Sequence, residues 1–193
     1  METNKSTWSR FAGKGLYPPS LAWVLLLPFR NLYLSPKTLA TRLRLQENWE
    51  VLELGCGPGY FSPYIASKLP KGKLYLADVQ KEMLEKAEKR IQKKGIQNAS
   101  VLWTDGKVLP FPNAQFDCIY LITVLGEITN PESMLAEMKR VLKAGGILSI
   151  TEQGGDPDAL TLPEVRSMLE PVGFAFQESF GKGRTFTANF KRV

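Results

Sequence analysis

The 193-residue chain contains no histidine. That one absence removes histidine metal sites, serine–histidine–aspartate triads and imidazole general bases together. Cysteine is scarce too. Cys56 and Cys118 stand in unrelated contexts and offer neither a disulfide framework nor a zinc site. No metal is therefore expected, and two reduced thiols fit a cytoplasmic protein. Internal repeats and low-complexity tracts are lacking. No apolar run approaches the ~20 residues of a membrane span. The longest candidate, residues 21–29, is interrupted by Pro28 and stopped by Arg30. Lys5, Arg10 and Lys14 precede it as they would in a signal peptide, but Arg30-Asn31 stands where a small-residue cleavage site belongs, so no leader is expected. A G-K-[ST] sequence is missing, which excludes a P-loop.

What is present describes one globular domain. An apolar fraction of 44% with 23% charged residues suffices for a sizeable core. The net charge of +6 permits nucleic acid or an anionic surface as partner. No basic run is interleaved with aromatics, so nucleic acid is not the expected partner.

Periodicity divides the chain into alternating strands and helices. Strands are expected at 50–54, 74–78, 99–103, 116–122 and 147–151. Helices are expected at 36–45, with Ser35 as N-cap and Pro36 in the first turn, and at 62–69, 81–94, 131–142 and from 162 to just before Gly173. Residues 144–146, Ala-Gly-Gly, read as a turn into the fifth strand. Two further strands, 174–180 and 185–191, read as a hairpin around Gly181-Lys182-Gly183. The expected fold class is α/β: a Rossmann-like, doubly wound, seven-stranded sheet, parallel except for one antiparallel strand of the terminal hairpin, with helices on both faces. Residues 1–45 form an N-terminal cap or lid segment on the domain 46–193. Within it, 16–34 reads equally as a packed helix, as a lid over a site, or as a peripheral membrane contact, with Tyr17 and Trp23, and Tyr60 from the main domain, as candidate walls of an apolar pocket.

The chemistry gathers at strand ends. Val51-Leu52-Glu53-Leu54 runs into Gly55-Cys56-Gly57-Pro58-Gly59, three glycines at alternate positions. Glycine admits positive φ and lets a ligand approach the backbone. A turn of this kind, between a strand and a helix, is where α/β sheets bind nucleotide-like cofactors. Asp78 ends the second strand about twenty residues further on, placed to accept from both hydroxyls of a ribose. Asp105-Gly106 follows the third strand and could meet an exocyclic adenine amine or form a simple Asx turn. The single-residue glycine spacing departs from the G-x-G-x-x-G of dinucleotide sites. Glu127, after the fourth strand, is the one candidate for acid–base catalysis, with a cap or solvated carboxylate as the alternative.

The stretch 51–59 resembles the first motif of the class I S-adenosylmethionine-dependent methyltransferases. Asp78-Val79 resembles their acidic position after the second strand, Asp105-Gly106 their adenine contact, and 116–121 their fourth strand. Residues 140–146, Arg-Val-Leu-Lys-Ala-Gly-Gly, resemble the segment entering strand five, with Ala144 in place of the usual proline. The motifs occur in family order over about 45–193, and the chain is most similar to the UbiE-like small-molecule group. The resemblance implies S-adenosyl-L-methionine as cofactor and methyl transfer to a small acceptor, apolar ones included. It assigns Gly55, Gly57 and Gly59 to the methionine part, Glu53 to orienting that loop and Cys56 to packing beside it. Asp78 would hold the ribose, Val79 and Met83 the adenine face, Asp105 and Gly106 the adenine edge, and Leu121 would offer backbone groups near the sulfonium. The family's asparagine-proline-proline-aromatic motif for amine methylation is absent, which counts against DNA amines. An RNA-modifying methyltransferase and a non-catalytic cofactor-binding subunit remain as alternatives.

Overall fold

The computed structural model describes residues 17, 18, 20, 22–26 and 34–193. Most of the expected lid segment, including Leu16 and residues 27–33, lies outside the described residues. The described strands are β1 (Glu50–Leu54), β2 (Lys73–Asp78), β3 (Ala99–Trp103), β4 (Phe116–Ile122), β5 (Leu142–Glu152), β6 (Phe174–Lys182) and β7 (Thr185–Arg192). They form one sheet in the order β3-β2-β1-β4-β5-β7-β6. The pairs β1–β2, β2–β3, β1–β4 and β4–β5 are parallel, and β7 runs antiparallel to both β5 and β6. The expected sheet is thus observed, with β7 as its antiparallel strand.

Alternation along the strands splits the core into two layers. Leu52 and Leu54 of β1 pack with Met134, Leu135 and Met138 of α4 (Pro131–Val141) and with Val165 and Leu169 of α5 (Leu162–Leu169). Val51 faces the other way, into Leu39 and Leu43 of α1 (Pro36–Leu43), Ile65 of α2 (Ser62–Ala66), and Leu84, Ala87 and Ile91 of α3 (Lys81–Lys93). The helix α1 therefore belongs to the same core as the sheet. Its start follows the sequence signal: the Ser35 side chain accepts from Thr38 N–H, and Pro36 occupies the first turn.

Several boundaries differ from expectation, and three of them show a cause. Helix α2 stops at Ala66, because the Asn98 side-chain amide donates to the carbonyls of Ala66 and Leu69 and closes that turn from outside. Helix α1 ends at Leu43, where Arg44 adopts a left-handed conformation. The turn expected at 144–146 is part of β5. Leu142 already pairs with Phe116, the ladder resumes at Cys118–Ile147, and the intervening residues bulge out of register.

Strand order reverses between β1 and β4, the two central strands. In an open α/β sheet the carboxyl ends beside such a reversal border the ligand crevice. The glycine turn, Asp78, Asp105 and Glu127 all follow or end strands β1 to β4 on that rim.

Candidate cofactor crevice

The glycine turn folds back on β2. The N–H groups of Gly55 and Cys56 both donate to Ala77 O, at 2.8 and 3.2 Å. Gly55, Gly57 and Gly59 all have positive φ, from 52° to 75°. Their missing side chains face different neighbours. A Cβ on Gly55 would collide with Val124. A Cβ on Gly59 would lie 3.1 Å from Ala87 Cβ, so this glycine allows the turn to lie against α3. Only at Gly57 is the space open, with Leu25 Cδ1 nearest at 3.9 Å.

Asp78 is buried, and both its oxygens meet backbone donors. Gly57 N–H donates to Oδ2 at 2.8 Å and Gln80 N–H to Oδ1 at 2.9 Å. Burial pushes its pKa up, and these hydrogen bonds pull against that rise. Val79 N–H adds to these bonds, and together they favour the ionised carboxylate, the form that accepts from a further hydroxyl. Val79 follows, partly exposed, and stands close to Gly106, where a Cβ would lie 3.2 Å from Val79 Cγ1. The polar Asp78 carboxylate is thus followed directly by an exposed apolar side chain in contact with Gly106.

Asp105 precedes Gly106 on the loop after β3 and is exposed. Its Oδ1 accepts from Lys107 N–H at 2.9 Å and Val108 N–H at 3.4 Å, and these bonds hold its pKa below the usual carboxylate range. The Asx turn therefore forms, and its two bonds use Oδ1, not Oδ2. Met83 is almost wholly buried beneath the same region. Cys56 is buried and its thiol is pushed well up by burial, then by the Glu53 and Asp78 charges, so it packs and does not react. Glu53 is buried on the α1–α3 face and takes a 2.5 Å hydrogen bond from Ser62 Oγ, which ties the strand before the turn to the helix after it. Leu121 is fully buried on β4, with its side chain in the layer packed on α4 and α5.

Beyond Leu121 the chain bends sharply. Thr123 has φ +54°, costly for a β-branched residue, and two bonds hold it there: its N–H to Thr151 O and its hydroxyl to Ile122 O, both 2.8 Å. The bend seats Val124 on Gly55 and leads into a 3-10 turn, Leu125–Glu127. Glu127 is half-buried and its pKa is pushed up to about 7, first by burial and then by Asp156, Asp158 and Asp78.

Of the expected pocket walls, Trp23 is 58% exposed, so its ring is not packed away here. Tyr17 O accepts from Gln80 Nε2 at 3.0 Å, which places the described part of the N-terminal segment beside Asp78. The Tyr60 ring stands edge-on to Phe61, centroids 5.0 Å apart.

Residues 51–146 match the family model for a methyltransferase domain. Over 134 residues the chain is 31% identical to the ubiquinone/menaquinone biosynthesis C-methyltransferase UbiE of Pseudomonas fluorescens, covering 68% of this chain and 51% of that one. The demethylmenaquinone methyltransferase of Geobacillus stearothermophilus is 28% identical over 123 residues, covering 63% and 53%. The solved S-adenosylmethionine-dependent methyltransferase of Aquifex aeolicus superposes with a TM-score of 0.86 at 29% identity, covering 92% of this chain and 100% of that one. The chain belongs to the class I S-adenosylmethionine-dependent methyltransferases. It spans about half the length of the curated relatives it matches.

Within this methyltransferase, sequence reading missed three residues at the site. Trp103 ends β3 and donates from Nε1 to Val79 O at 3.0 Å, pinning the loop after β2, while the Lys81 ammonium sits 5.2 Å from its ring centroid. Glu152, at the end of β5, is buried beside Glu127 and Asp156. Arg42 reaches from α1 to donate to Thr187 Oγ1 at 3.0 Å, and with Phe61, Ile122, Thr151 and Phe186 it lines a small cavity on the rim. Glu152 carried a legible signal: like Asp78 it is a carboxylate closing a parallel strand.

Proposed function

We propose that the chain transfers the methyl group of S-adenosyl-L-methionine to a small-molecule acceptor by in-line displacement. The observation that carries this reading is the open side of Gly57, whose N–H donates to the buried Asp78 carboxylate at the end of β2, next to the exposed Val79. When bound, the cofactor supplies an activated methyl group on a sulfonium that leaves as a neutral thioether. The protein's work is then alignment and exclusion of water.

In this reading Asp78 accepts from the ribose hydroxyls, and its bond to Gly57 N–H fixes the loop to the same carboxylate. Val79 and Met83 flank the adenine, and Asp105 with Gly106 meets its edge. Gly57 gives the methionine part access to backbone; Gly55 and Gly59 serve it indirectly, by letting Val124 and Ala87 close in. Glu53 orients the loop through Ser62, Cys56 packs beside it, and the Leu121 backbone borders the methyl. Leu25, over Gly57, and Tyr17, on Gln80, support the idea that 16–34 covers the crevice. Relatives named for C-methylation in ubiquinone and menaquinone biosynthesis favour a quinone-precursor acceptor.

Titration calorimetry with S-adenosyl-L-methionine tests the reading, and absence of binding sinks it. Replacing Asp78 with alanine removes the ribose acceptor and the loop tie together. We expect affinity to fall at least tenfold, on the order of 1.4 kcal/mol or more. Unchanged affinity would remove Asp78 from the site.

A further inference from the structure

A small cavity lies on the side of β1 away from Asp78. Strand order runs β2-β1-β4-β5-β7, and the cavity sits across the last three. Ile122 at the end of β4, Thr151 near the end of β5 and Phe186 near the start of β7 line it. Leu34 and Arg42 close it from the side of α1, and Phe61 from the segment after the glycine turn. Its enclosed volume is about 10 Å³, room for one group the size of a water. With ribose and adenine read over β2 and β3, this is ground left for an acceptor.

Arg42 brings a cation to this cavity. Its Nη1 donates to Thr187 Oγ1 at 3.0 Å, and its guanidinium carbon stands 5.8 Å from the Phe180 ring centroid. Thr187 is held in turn by Thr151, Oγ1 to Oγ1, at 2.9 Å. A guanidinium has five N–H donors, and this bond uses one. Among the described residues no carboxylate forms an ion pair with Arg42. Burial lowers its pKa, and no neighbouring charge raises it.

Glu152 borders the same cavity without serving as the counter-ion. It pairs in register with Phe186, and the two follow Ile150 and Ala188 on the face packed against α4 and α5. Thr151 and Thr187 pair on the opposite face, where Ile147 packs in the layer of α1. The Glu152 carboxyl accepts from Leu160 N–H, and Leu160 belongs to the α4–α5 layer. Burial and then Asp156 raise its pKa to about 8, so at pH 7 it is mostly uncharged. A partly desolvated cation with unused donors thus stands among apolar side chains. An anionic oxygen forms the stronger, charge-assisted bond with such donors.

We propose that Arg42 anchors the anionic oxygen of an apolar acceptor, a carboxylate or an ionised phenol, in this cavity. The inference rests on the methyltransferase reading for calling that ligand the acceptor. The cavity takes the charged tip, and the body of the acceptor lies over the ends of β4 and β5.

Benzoate and benzamide share a shape and differ in charge. Both are titrated into the intact chain, alone and saturated with S-adenosylhomocysteine, by calorimetry and by NMR of the arginine Nε–H resonances. Benzoate should bind about tenfold more tightly, the scale of a charge-assisted hydrogen bond. It should also move the Arg42 Nε–H resonance, which benzamide leaves in place. 4-Nitrophenolate against 4-nitroanisole asks the same of an ionised phenol, and the pair with the larger difference names the acceptor's oxygen. Arg42→Gln should bring each pair within twofold, while Arg42→Lys keeps part of the preference. Arg42 also holds Thr187, so the wild-type resonance gives the answer even if Arg42→Gln fails to fold. No preference for the anion in either pair, or a preference that leaves the Arg42 resonance unmoved, overturns the proposal. Sulfate binding as tightly as benzoate overturns it too, because the site would then have no use for an apolar body. If S-adenosylhomocysteine fails to bind while benzoate still moves the Arg42 resonance, the anion site stands and the reading of the crevice falls.

Discussion

Gly57 and Gly59 stand two residues apart and answer to different neighbours. A methyl group on Gly57 would meet nothing nearer than Leu25 Cδ1 at 3.9 Å, whereas on Gly59 it would press within 3.1 Å of Ala87 Cβ on α3. Both have positive φ, so alanine at either place carries a left-handed strain of roughly 1–2 kcal/mol. Gly59→Ala adds a packing clash of about 1–3 kcal/mol. Chemical denaturation should therefore show Gly59→Ala as the less stable variant by at least 1 kcal/mol, while calorimetry shows Gly57→Ala losing more cofactor affinity. Equal losses in both measurements would mean that the turn responds as one rigid unit and that the open side of Gly57 has no ligand. Sequence reading found these glycines but assigned all three to the methionine part. Whether an absent side chain faces a ligand or another part of the chain depends on Ala87, 28 residues beyond Gly59, and Val124, 69 beyond Gly55, and spacing cannot show that.

The loop between β3 and β4 has little regular structure, yet it carries Asp105 and Gly106. Helix α4 holds it. Arg140 donates to Leu109 O, Phe111 O and Asn113 Oδ1, and Glu137 Oε2 accepts from Leu109 N–H at 2.8 Å. The two side chains also pair with each other at 2.7 Å. The loop thus takes its shape from a helix two elements further on. Arg140→Ala should cost roughly 2 kcal/mol of stability and speed amide exchange across 106–113. Arg140→Lys keeps the charge but not the planar fork, so most of the exchange protection should still be lost. Protection intact in both variants would show that the loop holds itself. The strands β1, β3 and β4 were legible to the residue, since periodicity and apolar runs are local properties. The ends of α2 and the start of β5 were not. Asn98 closes α2 from across a loop, and β5 begins early because Leu142 finds Phe116. Arg140 looked like part of an entry motif to strand five, whereas in the fold its side chain serves the loop between β3 and β4.

Both core layers share the same seven strands, and this bears on whether the chain unfolds in one step. Leu52 and Val51 are neighbours on β1 and feed opposite layers. Helix α1 is tied in at its far end too, where Asn189 Nδ2 on β7 donates to Arg42 O at 2.8 Å and Arg42 reaches Thr187. The expected boundary at residue 45 therefore falls between a helix and a strand of one core. No helix among the described residues is long and apolar enough to cross a membrane. A calorimetric scan should show a single transition whose van't Hoff and measured enthalpies agree. S-adenosylmethionine at a hundred times its dissociation constant stabilises by about 2.7 kcal/mol, which for a chain of this length raises the midpoint by about 5–10 °C. Because the crevice is built from the ends of β1, β2 and β4, strands that both layers bury, the whole transition should move and not one part of it. Two transitions, of which the cofactor shifts only one, would show that α1 and the β6–β7 hairpin form a unit that melts apart from the crevice.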